Sequence, residues 1–198
     1  MPLTRRPILA SLLAGPFLGL ARAAARTPSA AEGPFYPTPA MRFQDIDNNL
    51  VRITGAVRDA GGEVVILKGR VLDAERRPVS GARVEIWQCD VNGIYMHTRN
   101  RTADYDDAFQ GFGHFTTGED GAYAFRTIRP AVYPGRTPHI HVKVFADGRE
   151  FTTQFYLDGH PLNDRDWLYQ RMSAEEREAV TMRFDDSAEP EASVDILL

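Results

Sequence analysis

The stretch VVILKGRVLDAERRPVSGARVEIWQCD, residues 64–90, decides the fold because it contains two strand patterns joined by a turn. Its first part, residues 64–73, is an apolar run rich in β-branched side chains, which is typical of a buried strand. Pro78 and Gly81 mark the turn that follows. Residues 82–90 then alternate between two faces, which indicates a second strand.

Similar patterns recur towards the C-terminus. Strand-like segments occupy residues 118–128, 139–147 and 148–157, and Asp147–Gly148 forms a tight turn between the last two. Short strands separated by Gly and Pro turns predict an all-β protein, with an antiparallel β-sandwich as its architecture.

Two other segments complete the predicted fold. Ser173 and Glu176 have the spacing of a capping box and predict a short C-terminal helix, after which residues 179–184 form a candidate last strand. Residues 90–115 show little periodicity and many polar side chains. Long connecting loops of this kind inside a compact domain are usually functional.

The first residues are expected to be an export signal. Arg5 and Arg6 precede a short apolar run, and residues 21–23 offer a small-x-small cleavage site. The paired arginines allow either the general secretory route or the twin-arginine route. The predicted organisation is a signal peptide at 1–23, an extended segment at 24–62 and the sandwich domain at 63–198. The mature protein would be periplasmic or extracellular, without stable membrane insertion.

Composition narrows the range of functions. With 198 residues and 43% hydrophobic residues, the chain can form one domain with a full core. Its net charge of −4 argues against a nucleic-acid partner, which requires a basic surface. The lone cysteine, Cys89, excludes an internal disulfide and is interpreted as a core residue.

His139 and His141 form a His-x-His pair on a predicted strand. Strand alternation places both imidazoles on one face and Ile140 on the other, so the two rings can hold one metal ion. A pair of polar residues on a solvated sheet face is the competing interpretation. Tyr133 and Tyr95 favour a metal site over this interpretation, because phenolate ligands suit ferric iron better than zinc or copper.

The motifs GPFYP (33–37), NGIY (92–95), AVYPGR (131–136) and PHIHVKV (138–144), together with the stretch quoted first, resemble the intradiol ring-cleavage dioxygenases. This family includes the catechol and protocatechuate dioxygenases, and the resemblance runs from about Gly33 to Tyr156. It implies a β-sandwich that binds one non-haem Fe(III), a small aromatic diol and O2, with a muconate-type diacid as the product. A homo-oligomer is compatible with this family.

Motif by motif, the resemblance assigns roles to six residues. The iron ligands would be Tyr95, Tyr133, His139 and His141. In the family one tyrosinate leaves the iron as substrate enters and can take a proton, and motif order assigns that role to Tyr133. Arg136 would stabilise negative charge on the ring, and Gln154 would orient the substrate or the arginine.

Departures from the family pattern concern the loop between Tyr133 and His139. This loop is short, and Gly135 stands where protocatechuate enzymes tend to carry a tryptophan. Both features suggest a more open pocket and leave the substrate undefined. Two alternatives remain: a non-catalytic secreted sandwich that binds metal or carbohydrate, and a secreted copper or zinc protein that uses the His-x-His pair.

Overall fold

The computed structural model describes residues 25–43, 46–56 and 58–198. The predicted signal at 1–23 lies outside the described residues, so it stays a prediction. No helix among the residues described is long and apolar enough to cross a membrane.

Two β-sheets pack face to face, as the sequence predicted. Their strands are β1 (Val64–Leu72), β2 (Arg83–Trp87), β3 (Phe112–Thr116), β4 (Ala122–Ile128), β5 (His139–Ala146), β6 (Arg149–Leu157), β7 (Thr181–Met182), β8 (Glu191–Ser193) and β9 (Ile196–Leu197). The first sheet has the order β4-β1-β8, with β9 also paired to β1, and the second has the order β3-β2-β5-β6-β7.

The helices are short. They are α1 (Trp167–Gln170) and α2 (Ala174–Ala179), with 3-10 turns at Pro39–Met41 and Pro161–Arg165. The predicted capping box is present at α2: the Ser173 hydroxyl accepts from the Glu176 N–H, and the Glu176 carboxylate accepts from the Ser173 N–H. The C-terminal helix prediction is therefore confirmed.

The long strands pair antiparallel, whereas three short edge strands pair parallel. The β1–β4, β2–β3, β2–β5 and β5–β6 pairs are antiparallel. The strands β7, β8 and β9 instead run parallel to their neighbours. Strands of two or three residues have no readable period, which is why the sequence did not predict β8 and β9.

The strand β3 corrects one prediction. It begins at Phe112, inside the segment 90–115 that was expected to be irregular throughout. Gly113 at its centre weakens the strand pattern, and it is needed because residues 47–50 cross closely here. A Cβ at Gly113 would come within 2.6 Å of the Asp47 carbonyl oxygen.

Side chains on the facing sides of the two sheets form the main core, which includes Leu67, Val84, Ile140 and Val142. A second apolar cluster covers the outer face of the second sheet and includes Trp87, Tyr95 and Phe112. The N-terminal segment and the long loop after β2 lie over this outer face, since Phe35 and Ile94 pack against the cluster. The candidate site lies in this layer.

A glycine in β1 provides a test of the packing. The C-terminal tail crosses β1 at Gly69, where an added Cβ would lie 1.9 Å from the Val194 carbonyl oxygen. Gly69→Ala is therefore expected to destabilise the fold by about 3 kcal/mol, the upper end for overpacking. Urea denaturation would measure the loss. Gly118→Ala is the matched control, because its nearest contact would be an ordinary 3.5 Å. Equal stability of the two variants would contradict the tight crossing.

Candidate metal centre

The two histidines of β5 point away from the main core and towards each other. Their Nε2 atoms are 3.1 Å apart. The His139 Nδ1 lies 2.7 Å from the Thr137 carbonyl oxygen, so Nδ1 carries the proton and Nε2 keeps a free lone pair. Two nitrogen ligands about 2.1 Å from one ion can have such a separation. The pair can therefore hold a metal.

Burial keeps both imidazoles neutral. His139 and His141 are 1% and 2% exposed. Desolvation, assisted by the Arg136 charge, lowers the pKa of His139 to about 4. Desolvation also lowers the pKa of His141 well below its ordinary value. Metal binding requires neutral imidazole, so these histidines need not lose a proton at neutral pH before they bind.

Cross-strand neighbours fix the His141 ring. The register places Trp87 of β2 on one side of His141 and Gln154 of β6 on the other. The Trp87 ring stacks on the imidazole with centroids 4.7 Å apart and planes 9° apart. Strand pairing thus restricts the ring before any ligand is bound.

Tyr95 and Tyr133 reach the histidines from two different loops. The ring centroids of the two tyrosines are 5.3 Å apart, at 87°. The Tyr133 ring is 5.6 Å from His139, and the Tyr95 ring is 6.0 Å from His141. The four rings that the sequence selected therefore form one cluster, although Tyr95 lies far from the others in the chain.

The Tyr95 hydroxyl is a buried polar group within this cluster. Tyr95 is 1% exposed, and its hydroxyl, although next to Tyr133, makes no hydrogen bond of acceptable geometry with any described residue. Burial, with smaller effects of Cys89 and Tyr133, raises its pKa well above the ordinary value. An unpaired buried hydroxyl is costly, and a bound cation would both satisfy and ionise it.

The donor set fits a metal that accepts phenolate. The described residues contain no group of three or more His, Cys, Asp or Glu side chains placed to hold an ion. An ion held by the histidine pair would take its remaining donors from other residue types, and the tyrosines are the side chains in position. Two imidazoles and two phenolates favour a strongly Lewis-acidic ion over zinc, which prefers Cys, His and carboxylate.

A tight turn places Arg136 beside Tyr133. Pro134 and Gly135 occupy its central positions, Gly135 has φ +86°, and the Arg136 N–H donates to the Tyr133 carbonyl at 3.3 Å. Pro followed by Gly at positive φ is typical of a type II turn. The Tyr133–Arg136 bridge brings both residues to the same end of the turn.

The Arg136 guanidinium is held by polar partners. Its Nε donates to Asp166 at 2.7 Å, and an Nη donates to the Gln154 side-chain oxygen at 2.8 Å. The same Gln154 oxygen accepts from the Tyr156 hydroxyl at 2.8 Å. The Arg136 side chain is only 14% exposed, so its positive charge lies at the edge of the site and is weakly screened by water.

The N-terminal segment lies over the tyrosines. Phe35 stacks on Tyr95 with centroids 4.8 Å apart. Gly33, at φ +78°, lies so close that a Cβ would come within 3.3 Å of the His141 ring. Gln154 donates to the Ala31 carbonyl at 3.1 Å, which anchors the segment to β6. The irregular stretch before the sandwich therefore forms part of the wall of the site.

Comparison with protein-family models identifies a relationship over most of the chain. Residues 31–196 match a family model described as Dioxygenase, and the curated relatives include protocatechuate and catechol dioxygenases. The chain belongs to the intradiol ring-cleavage dioxygenase family.

Individual relatives agree with this family assignment. The chain is 34% identical over 149 residues to the protocatechuate 3,4-dioxygenase beta chain of Burkholderia cepacia, a match that covers 70% of this chain and 63% of that relative. Among solved structures, the dioxygenase domain of a carbohydrate-binding fusion protein from Streptomyces sp. SirexAA-E has a TM-score of 0.67 and 31% identity, covering 88% of this chain and 98% of that one. The intradiol ring-cleavage dioxygenase of Tetranychus urticae has a TM-score of 0.69 and 25% identity, covering 87% and 94%.

Several residues of this candidate site were not selected from the sequence. Tyr156 could have been found by strand alternation, because it shares a face of β6 with Gln154. Asp166, which is 2% exposed, gave only the weak signal of an acidic residue before a short helix. Phe35 and Trp87 look like ordinary packing aromatics in the sequence, and only the tertiary structure places them against Tyr95 and His141.

Three further residues lie in or beside this layer. Tyr36 is a packed aromatic that contacts the edge of Trp87 and donates its hydroxyl to Glu85. Cys89 is 1% exposed, and burial raises its pKa to about 12, so it is not a reactive thiolate. His97 lies near the site, with its ring 6.0 Å from that of Phe35.

Proposed function

We propose that this chain is a non-haem Fe(III) intradiol dioxygenase that inserts both atoms of O2 into a small catechol-type aromatic. Cleavage between the two hydroxylated carbons converts the diol and O2 into a muconate-type diacid, with all atoms retained. The observation that supports this most directly is the convergence of two neutral imidazoles and two tyrosine rings, one with an unpaired buried hydroxyl, beside a fixed arginine.

The proposed iron ligands are Tyr95, Tyr133, His139 and His141. When bound there, ferric iron would supply Lewis acidity that favours the ionised forms of the phenols and of the diol. The protein contributes preorganisation: Trp87 stacking restrains one imidazole, and the Thr137 carbonyl sets the tautomer of the other.

Tyr133 is the proposed acceptor of a substrate proton. It is half-buried, whereas Tyr95 is enclosed, so Tyr133 is the tyrosine that an entering diol can reach. Desolvation raises the pKa of Tyr133, and the Arg136 charge opposes that rise. A phenolate at this position is basic enough to take a proton from a hydroxyl of the diol and hold it as the ring is attacked.

Arg136 is proposed to stabilise negative charge that develops on the ring. Its guanidinium is held in place, so no reorganisation is needed during the reaction. Gln154 helps to hold it there by accepting one of its N–H groups at 2.8 Å. These contacts would act on kcat more than on KM, because charge on the ring appears only during the reaction.

The Tyr133–Arg136 turn borders an open cavity. The cavity has a volume of about 240 Å³ and is lined on its other side by Leu162 and Arg165. Of the four proposed iron ligands, Tyr133 is the one that lines it. Nothing lies within 4 Å of the Cβ position of Gly135. The proposed substrates are therefore catechols that can carry a ring substituent directed towards this turn.

Oxygen uptake against a panel of substituted catechols tests the proposed function. We expect stoichiometric consumption of O2 and a diol, with product absorbance in the ultraviolet from the muconate-type diacid. Yellow products of cleavage outside the two hydroxyls would refute intradiol chemistry. Copper or zinc at full occupancy with no iron and no uptake would favour the secreted copper or zinc protein instead.

The proposed enzyme acts outside the cytoplasm. This proposal rests on the signal pattern of residues 1–23, with its paired arginines and small-x-small site. N-terminal sequencing of protein recovered from the periplasm or medium tests it. A mature chain that starts near residue 24 is expected, and retention of Met1 in the cytoplasm would contradict export.

A further inference from the structure

Asp166 is a buried carboxylate with four hydrogen-bond donors around it. Its side chain has no exposed surface. The Arg136 Nε lies at 2.7 Å, the Thr137 N–H donor at 3.0 Å, and the Leu168 and Tyr169 N–H donors at 3.0 and 3.1 Å. A buried carboxylate with this many donors is held firmly in one orientation.

The two oxygens of Asp166 serve different parts of the protein. Oδ1 accepts from the first turn of α1 and acts as its N-cap. Oδ2 accepts from Arg136 and from the Thr137 backbone, both of which belong to the candidate site. One carboxylate therefore connects a helix start to the active-site turn.

Both partners of Oδ2 are themselves engaged at the centre. An Arg136 N–H donates to the Gln154 side-chain oxygen at 2.8 Å. The Thr137 carbonyl accepts a hydrogen bond from His139 Nδ1 at 2.7 Å. The direction of the Arg136 guanidinium and the position of the Thr137 carbonyl that bonds His139 thus both depend on Asp166. A cation that is mostly buried also requires a counter-ion, because burial without one is strongly unfavourable.

We propose that Asp166 is the positioning residue of this site, which holds the Arg136 guanidinium in the orientation needed for ring cleavage. This inference rests on the proposed function. Asp166 does not touch the reacting atoms: it acts through Arg136, while the cap on α1 keeps Asp166 itself in place.

Asp166→Asn separates the two roles of the side chain. Asparagine is as good an N-cap as aspartate, so its oxygen can still serve α1. Its amide NH2 would then face the N–H groups of Arg136 and Thr137. Donors that face donors form no hydrogen bond, so both contacts would be lost. We expect kcat to fall by about 10- to 100-fold, as for loss of a partner that orients a ligand or catalytic group. The apparent KM and metal content should change little, whereas the melting temperature should fall, because the mostly buried Arg136 cation loses its counter-ion.

Ser173→Ala is the matched control for helix capping. It removes the N-cap of α2, which has a full capping box but no contact with Arg136. The variant should lose several degrees in melting temperature and keep its kcat. If Ser173→Ala and Asp166→Asn lose kcat equally, the role assigned to Asp166 is only structural and the inference is wrong.

A double-mutant cycle with Arg136→Ala gives the decisive readout. If Asp166 acts through Arg136, adding Asp166→Asn to Arg136→Ala should lower kcat by less than about 2-fold, since both changes remove the same interaction. The double variant should also melt at a higher temperature than Arg136→Ala, because a buried carboxylate has lost its cation. Additive losses of kcat, or full activity of Asp166→Asn, would overturn the inference. A wild-type protein without ring cleavage would instead refute the proposed function, and the positioning role of Asp166 with it.

Discussion

Tyr95→Phe is expected to abolish ring cleavage and leave the fold intact. The Tyr95 ring is buried and stacks on Phe35, so a phenylalanine fills the same space. The change removes one proposed metal ligand, and kcat should fall by more than about 100-fold, the upper range for loss of an outer partner of a ligand. Oxygen uptake with a catechol measures this loss.

The same substitution should stabilise the metal-free protein. The Tyr95 hydroxyl is buried without a hydrogen bond, and an unsatisfied group of this kind costs about 1–3 kcal/mol. Urea denaturation of metal-free Tyr95→Phe should therefore show a higher free energy of unfolding than that of metal-free wild type. A gain in stability paired with a loss of activity is the signature of a functional hydroxyl.

Tyr105→Phe is the matched control in the same aromatic cluster. Its hydroxyl is also buried but donates to the Phe109 carbonyl at 2.6 Å. Loss of that bond should destabilise the protein by about 1 kcal/mol and leave oxygen uptake unchanged. Full activity in Tyr95→Phe would contradict the ligand role of Tyr95 and favour a centre built on His139 and His141 alone.

Removal of the metal is the second change with a large expected effect. Protein treated with an iron chelator should lose ring cleavage completely and lose the burgundy colour expected from tyrosinate-to-iron charge transfer. It should also melt at a lower temperature, since a ligand at 100 times its Kd contributes about 2.7 kcal/mol to stability. Visible absorption, metal analysis and calorimetry on one sample measure the three effects together.

Readdition of metals supplies the control for this experiment. Iron, oxidised to the ferric state, should restore colour and activity, whereas zinc should restore at most the melting temperature. Recovery of activity with zinc or copper alone would contradict the proposed centre. A stripped protein that keeps full activity would show that no metal takes part in the reaction.

Much of the site could be predicted because its features depend on neighbours in the chain. Strand alternation placed His139 and His141 on one face and Ile140 in the core, and the structure has this arrangement. The dipeptide Pro134–Gly135 likewise indicates the turn beside Tyr133, because proline and glycine have restricted backbone preferences. The motif resemblance selected the distant Tyr95, which no local pattern could have connected to β5.

The remaining features depend on contacts between distant residues. The position of β3 depends on residues 47–50 crossing at Gly113, and its weak strand pattern carries no sign of that crossing. The parallel edge strands β8 and β9 are too short to show a period. An acidic residue before a short helix is common, so Asp166 could not be distinguished from an ordinary cap.

The sequence by itself determined most of the strand pattern and the direction of the two histidines. These follow from the two-residue period of a strand and from side-chain chemistry, which need no long-range information. Only the tertiary structure decided that Asp166 meets Arg136 across 30 positions, that Trp87 stacks on His141, and that the Tyr95 hydroxyl is buried without a partner. Such contacts arise when two sheets and a covering segment pack together, and packing depends on all the surrounding side chains at once.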